Sequence, residues 1–425
     1  MEKKSFDKNK SLTDISLMAD LRSDDKDNIF CSDVSVASFL TGFPVLDYNL
    51  GYVIAVRGND GTISNYKIAK GIVAGSYNLF CGRSGVGKSS WVIQISANII
   101  RPYRNGGIYH FDVEQATTPT RIQQLAKLDI SDFDPNNENA RYILKQGACD
   151  SSVIQKTIAK FYKKKTSYPE KYQFKTNQID EFGRSIVSYE PTIIIIDSIP
   201  MLASVLDVDN VKDAKKMDDI DSNTAGAAYA KQFKSVMRKS LPLMKEANII
   251  ILGVTHINKK IEINPMIHTE KDMRGLGQDE VLMGGDAVKY GATNIIKLSA
   301  KSGKYLIDEG DGFNGFDSYV TIVKSRTTQD GRGFSMIYDQ NTGMDTLRST
   351  IVWAKQNGIV DGNRNKMRFV DEPSTTFSMI NIYKDFNEKP EFKECMKKFI
   401  YPKLENIPVK PSIDVMEYNS LLLDY

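Results

Sequence analysis

The chain has 425 residues, 41% of them hydrophobic and 26% charged, which is ordinary for a folded globular protein and unlike a disordered or membrane-embedded one. Its net charge of +3 is close to neutral, so a nucleic-acid partner is not legible in the total and any basic surface has to be local. Cysteines 31, 81, 149 and 395 are too scattered for a disulfide framework or a metal-ligand doublet, and the longest apolar runs fall far short of the roughly 20 residues that cross a bilayer. The first ten residues carry charges with no apolar segment behind them, so a cytoplasmic address, reduced thiols and no membrane partner are expected.

Residues 1–40 read as an N-terminal arm. Most of it is rich in Lys, Asp and Ser, and one stretch puts Leu12, Ile15 and Ala19 on a common helical face that suits polymerisation. From 41 to 350, short β-branched runs alternate with helical periods and glycine-rich loops: SYNLFC, GGIYHFD, PTIIIIDS, NIIILGVTH, TNIIKLS and SYVTIVK. Nearly continuous apolar strands alternating with helices predict an α/β fold with a mostly parallel, helix-covered sheet, and ligands in such sheets sit outside the carboxyl ends of the strands. The Tyr- and Lys-rich stretch 161–175 interrupts this pattern and reads as a surface insertion. Residues 351–425 begin with a helical segment ending at Gly358 and read as a small C-terminal α/β domain.

The run GRSGVGKSS follows a strand-like YNLF and opens a helix-like segment. That is the context a phosphate-binding loop requires. Gly82, Arg83, Ser84, Gly85, Val86, Gly87, Lys88, Ser89 and Ser90 would surround phosphate oxygens with backbone N–H groups, with Lys88 reaching the terminal phosphates and Ser89 on Mg²⁺. Asp197 ends the apolar run TIIIID, with Ser198 beside it, where a carboxylate would back the metal. Glu114 and Asp112 both follow the second run and both suit water activation; strand alternation would turn them to the same side, and the residues alone do not separate them. His256, at the end of another run, reads by itself as an ordinary strand-end histidine.

Taken in order, GRSGVGKS, FDVEQATTP, IIIIDSIPMLAS, AKQFKSVMRKSLPLMKEANIIILGVTHI, MGGDAVKYGATNIIKLSAK and VTIVKSRT make the chain resemble the RecA family of DNA strand-exchange recombinases, closest to its phage UvsX branch. GGDAVKYGAT is the discriminating segment, because the phosphate loop is shared by many families. The resemblance implies a RecA-like ATPase core over 41–350 and binding of ATP with Mg²⁺ at 82–90 and Asp197. It implies Glu114, not Asp112, as the base, and His256 as a sensor of the terminal phosphate. Lys324 and Arg326 fall where the family supplies two cations to the nucleotide of the neighbouring subunit. Arg121 departs from the pattern, standing where relatives stack a tyrosine on adenine; a guanidinium plane also stacks on a base.

The resemblance further implies two DNA-gripping loops, within 201–225 and 258–285. The second carries Lys259, Lys260, Met266, Lys271 and Arg274 and ends at Gly284 and Gly285; cations suit phosphates and apolar side chains suit wedging between bases. The paired glycine allows positive φ, which hinges the loop back into a helix. The first loop is more acidic than a DNA contact should be. The implied function is a DNA-dependent ATPase that forms a helical homo-oligomeric filament on single-stranded DNA, with ATP at the subunit interface, and exchanges strands with homologous duplex DNA. A loading mediator and a single-strand-binding protein are its expected helpers. A hexameric replicative helicase and a nucleotide-binding filament or mediator protein without hydrolysis are the alternatives.

Overall fold

The computed structural model describes residues 36–58, 63–180, 182–202, 222–259, 271–300, 306–307 and 314–405. The arm at 1–40 is thus described only from residue 36, and most of the first expected DNA loop and residues 260–270 of the second, including Lys260 and Met266, lie outside the described residues. From Ala37 onward the chain forms one compact unit.

The framework is a large α/β sheet. Its first half contains β1 (Tyr77–Gly82), α1 (Lys88–Ile100), β2 (Gly107–Asp112), α2 (Pro119–Ala126), β3 (Tyr142–Gln146), α3 (Ser151–Ser167) and β4 (Thr192–Asp197). Then come α4 (Ser222–Ala247), β5 (Ile249–Lys259), β6 (Glu280–Leu282), β7 (Asn294–Ala300), β8 (Leu306–Ile307), β9 (Asn314–Ser325), β10 (Gly333–Asp339), β11 (Gly343–Asp345) and α5 (Thr346–Gln356). Side by side, the strands run β11-β10-β9-β7-β1-β5-β4-β2-β3, with β6 on β5 and β8 on β9. Every neighbour from β7 to β3 is parallel, and every neighbour from β7 to β11 is antiparallel. All six strands expected from the apolar runs are present, and the carboxyl ends of β1, β2, β4 and β5 meet at one edge.

The isoleucine run of β4 shows why these segments are strands. Ile193 and Ile195 enter the core on one face of the sheet, Ile194 and Ile196 enter the core on the other, and all four are fully buried. A parallel strand covered on both faces has no polar side to show, so alternation disappears from its sequence. One face is filled with Trp91, Ile93 and Ile351 among others, and the opposite face with Ile154, Ile158, Phe233, Met237 and Met244 from α3 and α4. Helix α4 buries that apolar stripe and leaves Lys231, Lys234 and Arg238 exposed.

The stretch 161–175, expected as a surface insertion, is regular secondary structure. It is the last turns of α3, the short helix Pro169–Tyr172 and the start of a hairpin, Gln173–Ile179 with Ser185–Tyr189. Lys163 and Lys164 are exposed, as a lysine run suggests, but Lys165 is buried. Its ammonium donates to the carbonyls of Glu190, Ala247 and Asn248 at 2.7, 2.9 and 3.1 Å, and so pins α3 beneath the starts of β4 and β5. Helix α5 runs across position 350, and Trp353 packs edge-on to Tyr48 at 5.3 Å. Beyond it, Val360–Asn363, Lys366–Phe369 and Thr376–Phe377 form a small antiparallel sheet over Phe392, which stacks on Phe377 at 4.3 Å. No helix among the described residues is long and apolar enough to cross a membrane.

Candidate functional site

At the carboxyl edge of the parallel strands lies a cleft of about 410 Å³, floored by the loop between β1 and α1. Ser84, Gly85, Gly87, Lys88, Ser89 and Ser90 line it from that loop, Glu114 and Ala116 from the end of β2, Asp197 from β4, and Val254 and His256 from β5. Gly82 and Val86 are buried beneath, whereas Arg83 is exposed and its carbonyl accepts a hydrogen bond from Lys88 Nζ at 2.7 Å. Gly87 has φ +82, and a Cβ there would stand 2.8 Å from the ring of Tyr338, so the turn into α1 requires glycine on both counts. Tyr338, whose hydroxyl meets Ser90 Oγ at 2.9 Å, forms the opposite wall with Phe316 and Gln340.

The charged groups in this cleft perturb one another. Burial pushes the Asp197 carboxyl up to about 6, helped by the nearby charges of Glu114 and Asp112 and opposed by a hydrogen bond from Ser89 and the charge of Lys88. Burial lowers the Lys88 ammonium, with Asp197 and Glu114 acting the other way. Paired desolvated groups of this kind concentrate in functional clefts. Among the described residues, no cluster of three or more His, Cys, Asp or Glu side chains could hold a metal ion. Ser89 and Asp197 offer two hard oxygen donors, a set that suits a Mg²⁺ keeping several waters and taking its remaining ligands from phosphate.

The structure separates Glu114 from Asp112. Strand β2 stops at Asp112, so alternation does not carry on to Glu114. Asp112 is 1% exposed, and its carboxylate accepts from Gln146 Nε2 at 2.9 Å and from the amides of Ala116 and Thr117 at 3.3 Å, which fixes the turn after the strand. Glu114 reaches the cleft, where it accepts a short hydrogen bond from Ser198 Oγ and lies 3.2 Å from His256 Nε2. Ser198 therefore positions Glu114, a role its place beside Asp197 hinted at but did not specify. Tyr338 and Gln340 had no signal in the sequence, because they lie some 250 residues from the loop they face.

Three candidates do not line this chain's own cleft. Arg121 donates to the carbonyls of Asn341 and Gln340 at 2.6 and 2.7 Å; these bonds run in the guanidinium plane, so they fix its orientation without covering the face that stacking uses. Lys324 and Arg326 lie at the opposite edge of the sheet. Lys324 pairs with Ile295, which pairs with Leu79, while Gly82 pairs with Leu298, a separation of three residues or about 10 Å along the strands. Burial and the neighbouring Arg326 lower the Lys324 ammonium, whose Nζ is 3.4 Å from the carbonyl of Lys289.

The segment expected to grip DNA starts and ends at the cleft. Lys259, three residues beyond His256 on β5, meets Asp279 at 3.3 Å, and β6 returns antiparallel beside it. The amide of Met283 donates to the carbonyl of His256 at 2.9 Å. Gly284 and Gly285 follow with φ of +84 and +59, turning the chain into the helix Gly285–Lys289. Lys271 and Arg274 are exposed.

No family model matches the chain. Over 216 residues it is 24% identical to a recombination and repair protein of Enterobacteria phage T4, a match covering 50% of this chain and 48% of that relative. The chain thus spans about half the length of the curated relative it matches, and a phage recombination and repair protein is what it is similar to.

Proposed function

We propose that the chain is a RecA-type recombinase, a DNA-dependent ATPase that assembles as a helical filament on single-stranded DNA and exchanges strands with homologous duplex DNA. The observation that carries this reading is the convergence of Lys88, Ser89, Glu114, Asp197 and His256 on one cleft whose sensor strand also holds both ends of the 258–285 segment. Similarity to a recombination and repair protein supports it.

In this reading the amides of the loop and Lys88 hold the phosphates of ATP, and Ser89 and Asp197 would hold Mg²⁺, which would supply positive charge against the phosphates. Glu114, aimed by Ser198, takes a proton from the attacking water as its oxygen bonds the γ-phosphorus, and the bond from that phosphorus to the bridging oxygen breaks, ADP leaving with the electron pair. His256 touches Glu114 on one side and, through its own carbonyl, the return of the DNA segment on the other, so a change at the terminal phosphate is passed to the DNA grip. Lys324 and Arg326 face away from this chain's own cleft, as residues serving a neighbour's nucleotide must. End strand β3, with Ile143 48% exposed and Ile130 73% exposed beside it, offers an open edge of the kind a second copy joins.

Electron microscopy with single-stranded DNA and a non-hydrolysable ATP analogue tests the reading. Extended helical filaments are expected; closed rings would move the protein to the helicases. The neighbour-supplied cations have their own test. Lys88→Ala and Lys324→Ala subunits are each expected to be nearly inactive alone, while an equal mixture recovers about a quarter of wild-type ATP turnover, because roughly one interface in four joins two intact halves. A mixture as inactive as its components would show that Lys324 does not act across an interface.

A further inference from the structure

The wall of the cleft that carries Tyr338 and Gln340 is the end of β10 and the turn 340–342 that joins it to β11. Within the turn, Asp339 Oδ1 accepts from the amides of Asn341 and Thr342 at 2.7 and 2.9 Å. On its inner side Gln94, a 6% exposed residue of α1, donates to the carbonyl of Thr342 at 3.0 Å and accepts from the amide of Met344 at 2.9 Å. Gly343 sits so close to Gln94 that a Cβ would stand 2.4 Å from its side-chain oxygen. The inner side is therefore bolted to the helix that begins at Lys88.

On its outer side Arg121 bonds the carbonyls of Gln340 and Asn341, while Asn314 of β9 accepts from the Gln340 amide at 2.7 Å. Arg121 belongs to α2, which starts at Pro119 after the Thr118 cap and so continues directly from the segment bearing Glu114 and Ala116. One planar guanidinium takes two successive carbonyls, a geometry that a lysine ammonium cannot copy in full. It links the segment bearing Ala116 to Gln340, and both residues line the cleft. With phosphates on Lys88, a base would meet these other lining residues.

We infer that Arg121 is a positioning and specificity residue. By clamping Gln340 and Asn341 it sets the width of the cleft at the base end, and it occupies the two carbonyls that an amino group on a purine would otherwise meet. The base is then held by its face and not read by its edge, so adenine and guanine are accepted about equally. This rests on the ATPase reading.

The test measures dissociation constants of fluorescent mant-ATP and mant-GTP for the full chain as wild type, Arg121→Ala and Arg121→Lys, with hydrogen exchange of the 340–342 amides followed without nucleotide. Wild type is expected to bind the two within about threefold of each other. Loss of two exposed charge-assisted bonds weakens both by about tenfold in Arg121→Ala, and one restored bond recovers part of that in Arg121→Lys. Exchange at 340–342 rises in Arg121→Ala at unchanged melting temperature. Arg121→Ala binding like wild type with unaltered exchange overturns the inference and leaves the ATPase reading standing. Wild-type preference for ATP above about 100-fold overturns the edge argument. Failure of wild type to bind either nucleotide overturns the ATPase reading and this inference together.

Discussion

Glu114→Gln is expected to lower ATP turnover by about 10²–10⁴-fold, the usual contribution of a positioned general base. Glutamine keeps the acceptor that Ser198 Oγ bonds and loses the basicity that removes a proton from water. Nucleotide binding is expected to persist, because Lys88 and the loop amides are untouched, so the variant should hold filaments on single-stranded DNA in the ATP state. Asp112→Asn is the control: its carboxylate is engaged by Gln146 and two amides, so it should disturb the turn after β2 without removing the base. Steady-state hydrolysis with nucleotide binding measured in parallel checks this. Turnover by Glu114→Gln within a few-fold of wild type would assign water activation to another group.

The second large effect concerns stability. Lys165→Met keeps the aliphatic length of the side chain but leaves the carbonyls of Glu190, Ala247 and Asn248 without their shared donor. A cost of about 3 kcal/mol is expected, the scale of a broken buried polar cluster. Burial lowers the Lys165 ammonium to about 7. A base depressed from an unfolded value of 10.5 contributes stability that is fully present above that value and is lost as pH falls through about 7. Wild-type stability therefore rises with pH across this window by about 1 kcal/mol per unit from this group, while Lys165→Met lacks the gain. Urea unfolding of the two proteins at pH 7, 8 and 9 checks this, with the deficit of the variant widening as pH increases. A deficit that stays constant from pH 7 to 9 would mean that the amine stays charged throughout.

Residue pattern made much of this molecule legible, for reasons that particular positions show. The runs at 77–82, 192–197 and 249–255 became strands because a segment buried on both faces must be apolar along nearly its whole length. Positive φ at Gly284 and Gly285 was readable because the lack of a Cβ is a local property. By contrast, the Tyr- and Lys-rich stretch 161–175 looked like solvent-facing sequence. Lys165 is a core group because three carbonyls from distant segments surround it, and nothing local announces that.

The same division runs through the site. Glycine spacing, the lysine and serine after it, and the aspartate closing an apolar run determined by themselves that a polar cleft should form at the strand ends, since those features depend on residue type and short spacing. Only tertiary structure decided which acid faces the cleft. Asp112 and Glu114 are two residues apart, and the end of β2 between them sends one into a turn and the other to Ser198 and His256. Tertiary structure also tied Arg121 to the carbonyls of Gln340 and Asn341, and set Lys324 and Arg326 on the far edge of the sheet. Contacts between residues more than 200 positions apart are products of strand order and register, which no local pattern encodes.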